Sequence, residues 1–151
     1  MSPHVSTFRE RIQIDQQMIE KEFVGEFIKF LNSHLKESEK LSYFDLITMM
    51  AFKYWEEKKI DIATLEVGLG GRLDSTNIVK NPALSIITGI GLDHQRLLGD
   101  TIEEICFEKC GIIKPWCSVL IGNTVPYEQA KKVAVERNSP FYANRDKLET
   151  Y

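Results

Sequence analysis

An apolar run that leads into a glycine-rich loop is the feature that most constrains the fold of this 151-residue chain. Residues 60–65 are apolar except for Asp61 and Thr64, and the sequence then continues from Glu66 as EVGLGGRLDSTN. A short apolar run of this kind predicts a buried strand over residues 60–67. Because ligands gather at the carboxyl ends of strands in open α/β sheets, Glu66 is a candidate metal ligand, and a cap for the following loop is the alternative.

Helical and strand patterns alternate along the chain. Helices are predicted near residues 16–35, 44–55, 101–110 and 127–137, where apolar side chains recur at helical spacing or capping signals occur. Short apolar strands are predicted at residues 60–67, 84–90 and 118–121, and around Phe141. This order predicts an α/β fold in one domain, with a mainly parallel sheet and helices on both of its faces.

Two predicted helices carry capping signals at their first turn. Ser42 stands three residues before Asp45, and Thr101 stands three residues before Glu104. In each pair the hydroxyl can accept a hydrogen bond from the backbone N–H of the acidic residue. The acidic side chain can in turn accept one from the backbone N–H of the capping residue. Gly111 follows the second of these helices, where a glycine predicts a left-handed C′ position.

Composition and charge exclude several classes of function. Nineteen basic and twenty-two acidic residues give a net charge of −3 with both signs interspersed, which argues against nucleic acid and anionic membrane as partners. No apolar run approaches the roughly 20 residues that span a bilayer, and no secretory signal is recognisable. The three cysteines lack CxxC spacing, which favours reduced thiols. We therefore expect a cytoplasmic protein.

Two further candidate residues follow the predicted strand at residues 84–90. The sequence GLDH places Asp93 and His94 beyond the carboxyl end of that strand, at the edge assigned to Glu66. An acid and an imidazole at neighbouring strand ends can face each other and hold one divalent ion. The alternative for His94 is a hydrogen-bonded loop residue, which is the more common role of a single histidine.

Lys109 and Ser2 carry weaker signals. Lys109 lies near the C-terminal end of a predicted helix, where a solvated lysine that interacts favourably with the helix dipole is the ordinary interpretation. Ser2 begins an SPH sequence, and a Ser-Pro pair at a terminus ordinarily forms a turn. Position alone assigns neither residue a chemical role.

Four separated segments together carry a family resemblance. They are SPHVSTFRERI, LSYFDLITMMAF, LEVGLGGRLDSTNIV and GIGLDHQRLLGDTIEEICFEKCGIIKP, in this order. Over about residues 2–121 the chain resembles the folylpolyglutamate synthase and dihydrofolate synthase family of Mur-type ATP-dependent ligases. Four ordered segments are far more specific than a single glycine-rich motif.

The resemblance implies a magnesium site and a modified lysine. Glu66, His94 and Ser2 match the family's Mg²⁺ ligands, and Lys109 matches a lysine that is carbamylated. Lys109, Glu66 and His94 are thereby implied to form the catalytic centre. Carbamylation replaces a cationic amine by an anionic oxygen ligand, which a metal ion attracts. Ligand preference alone would favour Mn²⁺ or Zn²⁺ beside an imidazole, so Mg²⁺ is expected on the resemblance.

The resemblance also implies a site for the pterin-bearing substrate. The matching residues are Ser42, Tyr43, Phe44 and Asp45, together with Leu73, Asp74 and Ser75. Tyr43 and Phe44 can supply flat surfaces for a pterin ring, and Asp45 or Asp74 can accept hydrogen bonds from its amino group. The alternative for the two aromatic residues is a place in the core at a helix start.

The reaction implied by the resemblance is ligation through an acyl phosphate. ATP phosphorylates the carboxylate of a folate or dihydropteroate, and the amine of L-glutamate then displaces phosphate to form an amide. Whether the first glutamate is added, a polyglutamate tail is extended, or both, stays open. The expected partners are these small molecules, and the intact enzyme is expected to be monomeric.

The 151 residues are expected to be part of a longer enzyme. The family's phosphate-binding loop, GxxxxGK[ST], does not occur in them, and in the family it precedes the SPH segment. The family's C-terminal glutamate-ligase domain is not matched either. We therefore expect residues 1–151 to form part of a central, P-loop NTPase-like ATP-binding domain that is inactive alone. A missing neighbouring strand would leave a sheet edge unpaired, which favours self-association.

Two other functions remain alternatives. A non-catalytic α/β binding or interaction module would keep the fold without the chemistry, and metal binding that depends on Glu66 distinguishes it from the ligase. A peptidoglycan-precursor Mur ligase is the second alternative, but GLGGRLDSTN, GLDH and the SPH segment favour the folate family.

Overall fold

A computed structural model of the chain describes residues 4–36 and 40–144. The chain divides into two compact units, Met1–Gly68 and Leu69–Tyr151. Each unit has its own cluster of buried apolar side chains. The single domain expected from the length is therefore organised around two separate cores.

Two helices dominate the first unit. α1 spans Lys21–His34 and α2 spans Tyr43–Lys58. A short 3-10 helix at Phe8–Arg11 precedes them. The core of this unit consists of Ile12, Ile19, Phe23, Phe27, Leu31, Ile47, Met50, Ala51 and Tyr54. The helical spacing seen in the sequence thus corresponds to the side chains that pack between the two helices.

The predicted start of α1 is five residues too early, because a β-hairpin occupies part of the predicted range. β1 (Gln13–Ile14) pairs with β2 (Gln17–Met18) in antiparallel orientation. Asp15 and Gln16 form the two-residue turn with φ values of 49° and 66°. Two consecutive positive φ angles are characteristic of the tight hairpin turns that suit the twist of paired strands.

The capping box predicted at the start of α2 is confirmed. The Ser42 hydroxyl accepts from the backbone N–H of Asp45 at 3.1 Å, and the Asp45 carboxylate accepts from the backbone N–H of Ser42 at 2.8 Å. The helix ends in a left-handed residue, Lys59, with a φ of 52°. Both ends of α2 are thus fixed by local hydrogen bonds.

The strand predicted at residues 60–67 is wrong. This segment forms no helix or strand, residues 61–64 are exposed, and Ile62 is 83% exposed. An apolar run becomes a buried strand only when neighbouring strands pair with it and other layers cover it. The parallel sheet of the described residues is built from later segments of the chain. Glu66 is consequently an exposed residue and not the end of a buried strand.

A three-stranded parallel sheet forms the centre of the second unit. β4 (Ser118–Ile121) lies between β3 (Leu84–Ile87) and β5 (Phe141–Ala143). Side chains alternate between a buried face and a face on which Ile86 and Tyr142 are about half exposed. The predicted parallel α/β arrangement is confirmed, although β3 ends three residues earlier than predicted.

Helices connect the strands of this sheet. α3 (Gln95–Leu98) and α4 (Ile102–Cys110) follow β3, and α5 (Tyr127–Glu136) follows β4. The core of the unit consists of Ile87, Ile90, Ile105, Cys106, Cys110, Ile113, Val119, Ile121, Val125, Ala130, Ala134 and Ala143. The order of strands and helices gives two βαβ connections, as the alternating sequence pattern predicts.

The two ends of α4 differ in how well the sequence predicts them. The capping box is confirmed, because Thr101 accepts from the N–H of Glu104 at 3.2 Å and Glu104 bonds back to the N–H of Thr101 at 3.1 Å. The left-handed position predicted for Gly111 is wrong, because its φ of −57° lies in the right-handed helical region. Gly111 is instead needed for space, since a Cβ there would overlap the Cα and Cβ of Arg72.

None of the helices in residues 4–36 and 40–144 combines the length and the apolar character that crossing a bilayer requires.

Candidate functional site

The first unit brings the start of α2 next to the segment that carries Glu66. A Cβ built on Gly68 would lie 2.7 Å from two atoms of the Phe44 ring. Phe44 is half-buried, and its ring therefore packs directly on the backbone of Gly68. A side chain at residue 68 would displace the ring, so the glycine permits this close approach. The structure thus connects two predicted site segments that are distant in sequence.

The other residues predicted at the start of α2 have more local roles. The Asp45 atom Oδ2 accepts hydrogen bonds from the N–H and the hydroxyl of Ser42, at 2.8 and 2.7 Å. Tyr43 is 56% exposed and lines an apolar groove of about 210 Å³. The remaining lining residues are Phe8, Val24, Phe27, Ile28, Leu31, Leu46, Ile47 and Met50. The core role considered for the aromatic pair therefore applies to neither residue fully.

Of the predicted metal ligands, Glu66 belongs to the first unit. Glu66 is exposed and lies two residues before Gly68. Ser2 lies outside the described residues. The pairing of Glu66 with His94 stays a prediction.

The glycine-rich loop of the second unit packs against the C-terminal end of α4. A Cβ on Gly71 would lie 2.9 Å from the Glu108 carbonyl oxygen and 3.0 Å from that of Lys109. The backbone N–H of Arg72 donates to the Glu108 carbonyl at 2.8 Å. The side-chain amide of Asn77 donates to the carbonyls of Arg72 and Gly111, at 3.0 and 3.3 Å. This loop therefore provides additional hydrogen-bond donors to the carbonyls of Glu108 and Gly111 at the end of the helix.

Asp74 organises the same loop through its carboxylate. Oδ2 accepts from the backbone N–H of Leu69 at 2.9 Å, and Oδ1 accepts from the N–H and hydroxyl of Thr76 at 2.9 and 2.5 Å. Asp74 also caps the 3-10 helix Ser75–Ile78. Leu73 is 79% exposed. The position of the Asp74 carboxylate is thus fixed by the loop before any ligand is considered.

His94 lies in an unusual backbone conformation at the start of α3. Its φ of 51° is uncommon for a residue with a side chain, and such conformations are enriched at functional sites. The imidazole is 59% exposed, and its Nε2 lies 3.7 Å from the Asp93 carboxylate. At the other end of α3, Leu98 approaches the loop, since its Cδ2 lies 2.8 Å from a Cβ built on Gly70. The helix that begins beside His94 therefore contacts the glycine-rich loop.

Lys109 lies on the last turn of α4 and is half-buried. Its amine makes no hydrogen bond or ion pair with any residue of the described ranges 4–36 and 40–144. The ordinary interpretation, a solvated lysine that interacts favourably with the helix dipole, and the modified lysine of the family both stay predictions.

Two free thiols lie on the buried side of the same helix. Cys106 and Cys110 are buried, and their Sγ atoms lie 3.7 Å apart. The contact with Cys106, together with burial, raises the pKa of Cys110 well above its usual range. Both thiols are therefore core groups, in agreement with the prediction of reduced cysteines.

The structure brings three predicted elements of the second unit together. The loop that carries Asp74 contacts both α3, which begins after His94, and α4, which carries Lys109. Among the described residues, no three histidine, cysteine or acidic side chains converge as a ready metal cluster. The arrangement can present a carboxylate, an imidazole and an amine from neighbouring elements.

Sequence reasoning missed two residues of this arrangement. Arg72 and Glu108 form an ion pair with 2.9 Å between Nη2 and Oε1, and the Arg72 guanidinium lies 5.4 Å from the centre of the Phe107 ring. The signal available in the sequence was an arginine directly after two loop glycines, since a charged residue within such a loop needs a partner nearby. The identity of that partner, 36 residues later, has no local signature.

Comparisons with known proteins place this arrangement in context. The dihydrofolate synthase/folylpolyglutamate synthase of Haemophilus influenzae is 43% identical over 136 residues, which are 87% of this chain and 30% of that protein. The apo form of L. casei FPGS superposes with a TM-score of 0.90 at 34% identity, over 97% of this chain and 38% of that one. E. coli FolC in complex with DHPP and ADP superposes with a TM-score of 0.85 at 31% identity. That match covers 95% of this chain and 34% of the FolC chain.

No family model matches the chain. The chain spans about 30% of the length of the first curated relatives that it matches. The similarity nevertheless covers nearly all of the chain itself, including both units.

Proposed function

Because this chain belongs to the folylpolyglutamate synthase and dihydrofolate synthase family, we propose that it supplies part of the active site of an ATP-dependent ligase. The ligase joins L-glutamate to the carboxylate of a folate or dihydropteroate. The observation that carries the proposal is the packing of the Asp74 loop against two helices. One is α3, which begins directly after His94, and the other is α4, which contains Lys109.

The residues have distinct proposed roles. Glu66, His94 and Ser2 hold a divalent cation, and Lys109 acts in its carbamylated form. The Lys109 amine supports this assignment, because no hydrogen bond or ion pair with a described residue would have to be broken for carbamylation.

The proposed pterin site draws on both ends of the glycine-rich sequence. Phe44, which packs on Gly68, supplies a flat apolar surface with its neighbour Tyr43. Asp74 presents a carboxylate whose orientation is already set by Leu69 and Thr76. The other residues proposed for this site are Ser42, Asp45, Leu73 and Ser75.

The donor atoms fit a divalent cation that keeps part of its water shell. Glu66 is an exposed carboxylate, and His94 is an exposed imidazole beside Asp93. Mg²⁺ usually retains several waters and takes one or two protein carboxylates together with substrate phosphates, so three converging side chains are not required. We propose Mg²⁺ on family membership, whereas Mn²⁺ suits an imidazole better. When bound, such a cation supplies positive charge that neutralises the phosphoryl oxygens.

The chemistry proposed for the whole enzyme has two steps. The γ-phosphoryl group of ATP passes to the substrate carboxylate, and the glutamate amine then attacks the activated carbonyl and releases phosphate. These 151 residues contain no GxxxxGK[ST] sequence. We therefore propose that residues 1–151 alone bind substrate and cation without turning over ATP.

Titration of the 151-residue chain with dihydropteroate, followed by fluorescence, tests the proposed substrate site. We expect saturable binding that Phe44→Ala and Asp74→Asn each weaken. Phe52→Ala provides a matched aromatic control on the same helix, since Phe52 packs against Trp55 and is not part of the proposed site. Equal affinity in all four proteins, or no binding by the wild type, contradicts the proposed substrate.

A further inference from the structure

We infer that Arg72 is a positioning residue, which holds the loop that carries Asp74 in a fixed place beside Lys109. This inference rests on the proposed function, because it concerns the geometry of that same site. It is carried by contacts of residues 70–72 with the C-terminal turn of α4 and with Gly111, which follows it.

The backbones of the two segments are in direct contact from both sides. Gly71 lies against the carbonyls of Glu108 and Lys109, and Gly111 lies against the backbone of Arg72. A side chain at either glycine would separate the loop from the helix. Arg72 is therefore placed between two glycines that allow the approach, one on its own segment and one after α4.

Arg72 binds α4 through both its backbone and its side chain. Its N–H donates to the Glu108 carbonyl at 2.8 Å, and Nη2 donates to Glu108 Oε1 at 2.9 Å. Nε lies 3.2 Å from each Glu108 carboxylate oxygen. The Glu108 side chain is only 18% exposed, whereas that of Arg72 is 42% exposed. The forked guanidinium thus fixes the direction as well as the distance of the contact.

The consequence concerns the two chemical groups on either side of this contact. Lys109 directly follows Glu108 on α4, and Asp74 follows Arg72 by two residues in the loop. The Asp74 carboxylate is itself held by the N–H groups of Leu69 and Thr76. A loop released from α4 would let the Asp74 carboxylate move relative to Lys109, and substrate binding would then have to restore that order.

Amide hydrogen exchange on the 151-residue chain tests this inference without any ligand. We expect Arg72→Gln and Glu108→Gln to accelerate exchange at Leu69 and Thr76 by at least about tenfold, because the loop opens locally. The double variant Arg72→Glu with Glu108→Arg reverses the two charges, and it should restore slow hydrogen exchange at Leu69 and Thr76. Lys58→Gln is the matched control, because it removes a 2.9 Å ion pair with Glu20 in the first unit. Wild-type exchange at Leu69 and Thr76 in Arg72→Gln would overturn the inference.

Dihydropteroate binding then separates a positioning role from a merely structural one. We expect Arg72→Gln to weaken binding about tenfold while Lys58→Gln leaves it unchanged. If the loop opens but the affinity stays at the wild-type value, the positioning role is wrong. If the wild type itself does not bind dihydropteroate, the proposed function fails, and the exchange experiment still decides whether Arg72 fixes the loop.

A conservative variant covers the case in which Arg72→Gln does not fold. Arg72→Lys keeps the positive charge but lacks the forked geometry that contacts both carboxylate oxygens. We expect it to fold and to show intermediate exchange rates at Leu69 and Thr76. Wild-type rates in this variant would mean that charge alone holds the loop, which contradicts the part that the inference assigns to the forked guanidinium.

Discussion

Gly111 packs so closely on Arg72 that an added Cβ would overlap the Arg72 Cα and Cβ. The contact joins the glycine-rich loop to the segment that follows α4. The contact also explains why residue 111 is a glycine, although its φ of −57° is one that any residue can adopt.

We expect Gly111→Ala to destabilise the chain by about 1–3 kcal/mol, because the loop must move to accommodate the methyl group. Gly91→Ala is the matched control, since nothing lies within 4 Å of a Cβ at residue 91. That substitution should change the free energy of unfolding by less than about 0.5 kcal/mol. Urea unfolding measures both values, and equal midpoints for the two variants would show that the contact is not as tight as described.

Gly25 allows a prediction in the opposite direction. It lies within α1 with nothing within 4 Å of a Cβ at that position, so an alanine meets no obstacle. We expect Gly25→Ala to stabilise the chain by roughly 0.5–1 kcal/mol, because alanine loses less backbone entropy on helix formation. A lower melting temperature for this variant than for the wild type would contradict the exposed, unstrained position of Gly25.

The environment of Glu10 predicts that the stability of the chain falls in a specific range of acidic pH. Its carboxylate accepts backbone N–H groups of Val5, Ser6 and Thr7 at 2.9, 2.8 and 2.7 Å, and these bonds lower its pKa from 4.5 to about 2. Because the pKa is lowered by folding, the stabilisation is present above pH 4.5 and is lost as the pH falls towards 2.

Glu10→Gln should therefore show a weaker loss of stability between pH 4.5 and about 2 than the wild type. Glu22→Gln, at an exposed position in the first turn of α1, controls for the loss of one surface charge. The free energy of unfolding measured by urea at several acidic pH values tests the prediction. Parallel pH profiles for wild type and Glu10→Gln would show that the three N–H bonds do not favour the ionised carboxylate.

Local features of the fold could be predicted from the sequence because their partners are close along the chain. The capping boxes that begin at Ser42 and Thr101 each join two residues three positions apart, and the structure contains both. The strands near Ser118 and Phe141 were also predicted, because each is short, apolar and separated by a clear helical pattern.

Features that depend on distant partners could not be predicted in this way. Residues 60–67 have the composition of a strand, but strand formation depends on pairing that the segment does not contain in itself. The hairpin at residues 13–18 is a local feature that was missed for a different reason, because its Asp15-Gln16 turn lacks the usual glycine signal. The candidate site depends on a distant partner as well. Arg72 could not be predicted as a site residue, because its partner Glu108 lies far along the chain.

The account depends most on a divalent cation that Glu66 and His94 hold together. Isothermal titration of the 151-residue chain with Mg²⁺, and separately with Mn²⁺, measures this binding directly. Glu56→Ala and His34→Ala control for the loss of an exposed carboxylate and of an imidazole elsewhere in the chain. We predict one binding site that is lost in Glu66→Ala and in His94→Ala and kept in both controls. Saturable binding that survives both site substitutions, or no binding of either ion by the wild type, would contradict the account.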